Sequence, residues 1–252
     1  MNNNLGACIS KGNFVITDTL SEKMDAVKHA NGRDWWIVVH DRDNDKFVKF
    51  LATPDSIQGP FYQSIGSDYS ILFIGAQNIG QMRFSRDGSK LAVVGLNNLI
   101  ETFDFDRCSG DLSSPKIISY QSLFVTSKDA LYGCSFSPSG RFLYVSSFRQ
   151  LFQFDLLDDD PSITVDTLFI MPSDSFLIGG HQLFLDDKIY IANGTSILPS
   201  DGRDTINMNL NVITQPEYEG ATCQFKPYSF YLGGHRSVLG LPNLPNYGLG
   251  VL

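Results

Sequence analysis

The amino-acid sequence predicts an all-β protein, and two features of its composition favour that class. Of its 252 residues, 42% are hydrophobic and 12% are aromatic, including 19 Phe and 10 Tyr. Aromatic and β-branched side chains pack well on the pleated surface of a sheet. Gly, Pro, Asp, Asn and Ser interrupt the apolar runs at intervals of roughly ten residues, as turns do between short strands. A chain of this size and apolar content can bury the core of one large domain or two small ones.

The charge of the chain excludes two classes of partner. The formal net charge at pH 7 is -8, and the basic residues are scattered rather than clustered. Proteins that bind nucleic acids or anionic membranes usually carry a concentrated basic patch, so we expect neither partner. No run approaches the roughly 18 apolar residues of a membrane span, and the opening residues MNNNLGACIS lack the basic and apolar regions of a secretory signal.

One strand–turn–strand pattern recurs along the chain. The segment GQMRFSRDGSKLAVV, which begins at Gly80, returns 52 residues later as YGCSFSPSGRFLYVS, which begins at Tyr132. Looser copies begin at Ala26 (AVKHANGRDWWIVV) and at Gly180 (GHQLFLDDKIYIA). Each copy predicts an apolar strand, a tight turn built on Gly or Asp, and a second strand rich in Val, Ile and Tyr. A third strand follows in three copies, as KFVKFL, IETFDFD and LFQFDL.

Four antiparallel strands repeated at intervals of roughly 40 to 55 residues are typical of the blades of a β-propeller. The sequence therefore predicts an all-β propeller, in which about four to five four-stranded blades form a single partial domain over residues 1–252 and an incomplete ring. The expected blades cover approximately residues 23–75, 79–130, 131–178 and 179–243, preceded by an orphan outer strand at 14–17. The alternative is a β-sandwich, but a sandwich does not require a repeated strand–turn–strand pattern.

Four motifs in a fixed order carry a more specific resemblance. They are AVKHANGRDWWIV from Ala26, FSRDGSKLA from Phe84, YGCSFSPSGRFLYVS from Tyr132 and YLGGHRSVLGLPN from Tyr231. In this order they resemble the WD40-like, YVTN-like propeller module of large secreted Bacteroidota proteins associated with gliding motility and type IX secretion. The resemblance covers about Gly12 to Asn243. It implies a propeller fold, a location at the cell surface or outside the cell, and further blades and domains in the parent protein, so the chain is expected to be N-terminally truncated.

The aligned repeats also predict which side chains line the central channel. Asp25, Gln81, Gly133 and His181 occupy equivalent positions on the innermost strands, and His29 lies further along the first of them. One carboxylate and two imidazoles could outline a metal site, although polar residues that line a wet channel explain the same pattern. We expect Asp25, His29, Gln81 and His181 to be the binding residues, and we predict no catalytic residue, no metal site and no cofactor.

Alternating carboxylates in HDRDNDKF resemble part of a calcium-binding loop. Asp41, Asp43 and Asp45 could converge on a hard cation. The pattern fails further on, because Lys46 stands where such a loop needs Gly and Ala52 stands where it needs Glu. We therefore interpret the segment as a solvated hairpin tip.

The four cysteines show none of the close spacing of a zinc site or a redox dithiol. A disulfide could form if the protein lies outside the cell, but the spacing leaves the pairing open. The cysteines are Cys8, Cys108, Cys134 and Cys223.

Two functions are compatible with these features. The favoured one is a non-catalytic interaction or adhesion module at the cell surface, which binds a protein or a glycan through loops displayed on a rigid ring and is not an enzyme. The alternative is a propeller enzyme, a hydrolase or lyase that acts on sugars or lactones in the central channel and uses Asp25, His29 and His181.

Overall fold

The computed structural model describes residues 20–42, 44–68, 78–96, 98–119, 130–173, 176–195 and 204–252. These residues form four sheets of four strands each, and the strands of every sheet pair antiparallel. The predicted all-β class and its four-stranded antiparallel units are confirmed. The described residues contain one short α-helix, α1 (Asp204–Asn207), and no helix long and apolar enough to span a membrane. The strand expected at residues 14–17 lies outside the described residues.

Within each sheet the strands follow one another in chain order. The first sheet consists of β1 (Leu20–Lys28), β2 (Trp35–Asp41), β3 (Lys46–Ala52) and β4 (Ile57–Ser64). The second consists of β5 (Gly80–Phe84), β6 (Lys90–Gly95), β7 (Leu99–Phe105) and β8 (Leu112–Ser119). The third consists of β9 (Leu131–Phe136), β10 (Phe142–Ser147), β11 (Gln150–Asp155) and β12 (Asp166–Ile170). The fourth consists of β13 (Phe176–Leu183), β14 (Ile189–Thr195), β15 (Asn209–Ile213) and β16 (Phe225–Tyr231).

The repeated Phe-Ser-x-x-Gly motif forms the turn between the first and second strands of a sheet. The carbonyl of Ser85 accepts a hydrogen bond from the N–H of Gly88 (2.9 Å), and its Oγ accepts one from the N–H of Lys90 (3.0 Å). Ser137 makes the equivalent bonds, at 2.9 and 3.1 Å, in the third sheet. Gly88 and Gly140 have φ of 74° and 77°, in the left-handed region that a side chain disfavours. Each of these two copies of the motif therefore forms a β-hairpin from the first and second strands of its sheet.

The second strands are buried on both faces because a neighbouring sheet packs on each side. In β10, Leu143, Tyr144 and Val145 are fully buried. Leu143 and Val145 pack with residues of β6, whereas Tyr144 packs with residues of β14. Successive side chains of a strand point to opposite faces, so one strand contributes to two interfaces between sheets. The core thus lies between the sheets.

The first strand of each sheet is the innermost one. β1 packs against β5, β5 against β9, and β9 against β13. Residues 238–252, here called the C-terminal segment, contact both the last and the first of these strands. The carbonyl of Leu239 accepts a hydrogen bond from the N–H of Gly180 on β13 (2.6 Å), and the carbonyl of Tyr247 accepts one from Nζ of Lys28 on β1 (2.9 Å). The C-terminal segment therefore joins the fourth sheet to the first.

Candidate functional site

Two cavities lie at opposite ends of the innermost strands. The smaller, of about 160 Å³, is lined by residues from the beginning of β1 and β5, and the larger, of about 490 Å³, by residues from their ends. Asp25 and Arg83 form part of the lining of the larger cavity. Its walls also include residues 26–27 and 84–86, Ser135 of β9, residues 182–185 at the end of β13, and residues 244–249 of the C-terminal segment. We take the larger cavity as the candidate site.

Asp25 on β1 is a buried carboxylate, 7% exposed. Its Oδ1 accepts a hydrogen bond from the N–H of Ala26 (2.9 Å), and its Oδ2 accepts one from the N–H of Phe84 on β5 (2.8 Å). Arg83 Nη1 lies 3.7 Å from Oδ1. Burial raises the pKa of Asp25 above its ordinary value, because the charged form is poorly solvated there, while Arg83 and the two N–H groups oppose this increase. The carboxylate is therefore held in a fixed position with a perturbed affinity for protons.

Arg83 on β5 is the cation beside this carboxylate, and it is 5% exposed. Its Nε and Nη2 donate to the carbonyl of His181 on β13 (3.2 and 3.1 Å), and its Nη1 donates to Oδ1 of Asn243 (2.8 Å). The sequence analysis missed this residue. Strand periodicity could have found it, since Arg83 follows Gln81 by two positions and so lies on the same face of β5.

Gln81 links three innermost strands through its amide. Its Oε1 accepts hydrogen bonds from the N–H groups of Cys134 on β9 and His181 on β13, both at 2.9 Å, and its Nε2 donates to the carbonyl of His181 (2.9 Å). Gln81 lines the smaller cavity and not the larger one. Because the oxygen and the nitrogen of this amide both hydrogen-bond to backbone groups, Gln81 stabilises the packing of these strands against one another.

His181 does not present its imidazole to the larger cavity, which corrects the predicted channel-lining orientation. The ring is fully buried, with Nε2 3.0 Å from Oγ of Ser146 on β10, so it lies between the third and fourth sheets. Only its backbone faces Gln81 and Arg83. Burial, reinforced by the positive charge of Arg83, lowers the pKa of His181 to about 3, so the ring is neutral at physiological pH.

His29 also lies apart from the larger cavity. It follows the end of β1, its Nδ1 accepts a hydrogen bond from the N–H of Asn31 (3.0 Å), and its ring centroid is 5.9 Å from that of Trp36. The structure therefore brings Asp25 and the backbone of His181 together around Arg83, but it does not bring the two imidazoles to Asp25. Among the described residues, no group of three or more His, Cys, Asp or Glu could hold a metal ion.

As far as the structure describes them, the remaining residues that the sequence pointed to, in the HDRDNDKF segment and at the cysteines, are not part of the larger cavity. Asp41 accepts hydrogen bonds from the N–H of Arg42 (2.7 Å) and from Nδ2 of Asn44 (2.8 Å), at the hairpin between β2 and β3. Asp43 lies outside the described residues. Three cysteines are free thiols, and Cys8 lies outside the described residues; the three are Cys108, Cys134 and Cys223.

The larger cavity combines a charged floor with mainly apolar walls. A fixed carboxylate of raised pKa can act as a general base or acid, and a guanidinium can stabilise negative charge that develops on a carbonyl oxygen. Gln182 attaches the C-terminal wall, since its Nε2 donates to the carbonyl of Leu244 (3.2 Å). At the rim, Asn246 Nδ2 donates to the carbonyl of Arg86 (2.8 Å), whose guanidinium pairs with Asp187. These bonds attach the C-terminal wall to the fourth and second sheets.

No protein-family model and no curated protein matches the chain. Solved structures do resemble it. A protein from Lactobacillus plantarum aligns with a TM-score of 0.50 at 14% identity, over 81% of this chain and 55% of that one. A candidate 6-phosphogluconolactonase from Bacteroides uniformis aligns with a TM-score of 0.47 at 15% identity, over 82% and 53%. A catalytically inactive variant of virginiamycin B lyase from Staphylococcus aureus, solved with quinupristin, aligns with a TM-score of 0.46 at 14% identity, over 81% and 55%.

These comparisons correct one expectation and support another. The prediction that the chain is not an enzyme is wrong as an inference from the fold, because solved structures that resemble it carry the names of a lactonase and a lyase. At such low identity they indicate the fold alone, so the chemistry must be argued from the residues of this chain. The chain spans about half the length of those structures. Together with the four antiparallel sheets, the likeness shows that the chain has a β-propeller-like fold.

Proposed function

We propose that the larger cavity is the active site of a hydrolase that opens small cyclic esters, or lactones. The observation that carries the proposal is the placement of the Asp25 carboxylate beside the Arg83 guanidinium, 3.7 Å apart, in the lining of a 490 Å³ cavity. Both side chains are buried and are held by neighbouring strands, which is the arrangement that general-base catalysis and charge stabilisation need. Cavities of this size commonly bind small molecules.

The two side chains have separate roles in the proposed reaction. Asp25 accepts a proton from a water molecule as the water oxygen forms a bond to the lactone carbonyl carbon. Arg83 donates a hydrogen bond to the carbonyl oxygen as it becomes negative. The ring C–O bond then breaks, and the leaving oxygen takes the proton back from Asp25, which yields a hydroxy acid. The raised pKa of Asp25 makes it a stronger base than an ordinary aspartate.

The orientation of Asp25 supports this role. The hydrogen bonds from Ala26 and Phe84 use one acceptor site on each carboxylate oxygen. Each oxygen of a carboxylate can accept a second hydrogen bond, so the group is oriented by the backbone and can still bind water. Such fixed orientation reduces the cost of reaching the reactive geometry.

The experiment surveys the ring opening of different lactones by the purified chain. Acid release is measured at constant pH, and the products are identified by mass spectrometry. We expect products that have gained one water molecule. Products of unchanged mass that contain a new double bond would indicate a lyase instead. No turnover of any lactone, or equal turnover by the Asp25→Asn variant, would contradict the proposal.

We also propose that the chain acts at the cell surface or in the medium, as part of the secreted Bacteroidota propeller module that it resembles. The order of the motifs that begin at Ala26, Phe84, Tyr132 and Tyr231 supports this assignment. Antibody detection in fractions of the producing cells tests the location. We expect the protein in the surface or medium fraction, and recovery from the cytosol alone would contradict the assignment.

A further inference from the structure

We propose that the lactone opened in this cavity carries an apolar substituent, which lies between the β13–β14 turn and the C-terminal segment. This inference rests on the proposed function and specifies its substrate class. Large apolar side chains surround the cavity above the charged floor, and they come from four different parts of the chain. They include Val27, Phe84, Leu185, Leu244, Tyr247 and Leu249.

Three of these side chains are exposed to water at the mouth of the cavity. Leu185 is 85% exposed, Tyr247 68% and Leu244 45%. A single exposed Leu is common on protein surfaces, but here three large apolar groups from two separate segments line one cavity. A bound apolar substituent would remove them from water together, whereas the charged floor would bind the ester group.

The C-terminal wall is held in place and is not a loose end. The ring of Tyr247 packs edge-on against Trp35, with centroids 5.1 Å apart, and its carbonyl accepts the hydrogen bond from Lys28. The carbonyl of Leu244 accepts the hydrogen bond from Gln182. An apolar wall fixed in this way forms a pocket before the ligand arrives, which favours binding.

Several polar groups of the walls are already used by the protein, although the buried Oε1 of Gln182 has no hydrogen-bond partner among the described residues. Ser85 Oγ donates to Asp87, and Nδ2 of Asn246 donates to the carbonyl of Arg86 while its Oδ1 accepts from the N–H of Gly248. A polyhydroxylated sugar lactone would bury hydroxyl groups that find few partners here, and an unpaired buried hydroxyl weakens binding. An alkyl substituent has no such requirement, so the walls favour an alkyl lactone over a sugar lactone.

The test uses γ-lactones with unbranched alkyl chains of increasing length, gluconolactone as the sugar lactone, and the matching γ-alkyl lactams as ligands that resist hydrolysis. We expect KM for the lactones and Kd for the lactams to fall by about three- to fourfold per methylene until the cavity is filled. Leu185→Ser and Leu244→Ser should each weaken this dependence. Leu157→Ser is the matched control, since Leu157 is 74% exposed and lies outside the cavity lining.

The lactams separate this inference from the proposed function. Chain-length-dependent lactam binding without ring opening would support the binding of an apolar substituent between the β13–β14 turn and the C-terminal segment, and it would contradict the proposed hydrolase. Ring opening with KM and Kd independent of chain length, or with gluconolactone preferred, would overturn the inference alone. The absence of both binding and turnover would overturn both.

Discussion

Arg83 Nη1 donates a hydrogen bond of 2.8 Å to Oδ1 of Asn243, although the two residues are 160 positions apart in the sequence. The bond joins the innermost strand of the second sheet to the C-terminal segment. Because Arg83 also contacts Asp25 on β1 and the backbone of His181 on β13, this one guanidinium connects the first, second and fourth sheets with the C-terminal segment.

We predict that Asn243→Ala destabilises the chain and lowers activity. Arg83 is buried but Asn243 is exposed, so this hydrogen bond should contribute about 1 kcal/mol, and urea denaturation should show a loss of about that size. The kcat/KM for ring opening should fall about tenfold, because Arg83 loses the acceptor that orients it. Gln58→Ala, at an exposed position of β4, is the control and should change neither quantity by a comparable amount. Equal effects of the two substitutions would contradict the positioning of Arg83 by Asn243.

The acid limb of the pH–rate profile should lie above the ordinary aspartate pKa of 3.8, because burial raises the pKa of Asp25 and the base must be deprotonated. Replacing Arg83 with Met removes the positive charge that opposes this increase, so the midpoint should move to higher pH. Arg141→Met, at an exposed ion pair with Asp155, should leave the midpoint unchanged. A midpoint at or below 3.8 in the unmodified chain would contradict the assignment of Asp25 as the base.

Acid should destabilise the chain through its buried imidazoles. Burial lowers the pKa of His181 to about 3 and that of His40 to about 4, both from 6.5. Between the lowered value and 6.5 the unfolded chain binds more protons, so the free energy of unfolding falls as the pH decreases through this window. The slope should reach about 1.4 kcal/mol per pH unit for each histidine. His181→Asn should reduce the slope between pH 6.5 and 3, and an unchanged slope would show that the ring is not buried as a neutral group.

Two hairpin glycines allow the stability cost of close packing to be distinguished from the cost of backbone strain. Gly88 and Gly140 have nearly the same φ, but a Cβ at Gly88 would lie 2.6 Å from Cγ2 of Val27, whereas the nearest atom to a Cβ at Gly140 is 3.9 Å away. Gly140→Ala should therefore cost about 1–2 kcal/mol from its backbone conformation alone. Gly88→Ala should cost about 1–3 kcal/mol more, because the core must also rearrange. Equal losses in urea denaturation would contradict the close packing at Gly88.

The sequence predicted the four-stranded antiparallel sheets because these depend on local patterns. The turns around Gly88 and Gly140 follow from a few adjacent residues, and alignment of the repeats places Asp25 and Gln81 at equivalent positions of innermost strands. Period-two alternation could also have placed Arg83 on the same face as Gln81.

The rest of the site depends on features that the sequence pattern does not carry. The pairing of β13 with β14 shifts register between Ile178 and His181, and beyond this irregularity the imidazole lies between the sheets. An alignment of regular repeats cannot anticipate such a shift. The wall that includes Leu244 and Tyr247 has no regular secondary structure and no periodicity, so only the tertiary structure brings it to Asp25.

The most direct test of the account is the initial rate of lactone ring opening by the unmodified chain and by Asp25→Asn, measured side by side on the best lactone of the survey. The account predicts a loss of about 100-fold or more, since loss of a general base typically costs this much. Asp104→Asn, which removes a half-exposed carboxylate outside the cavity, should retain the full rate. If Asp25→Asn folds and opens the lactone as fast as the unmodified chain, Asp25 is not the base and the proposed active site is wrong.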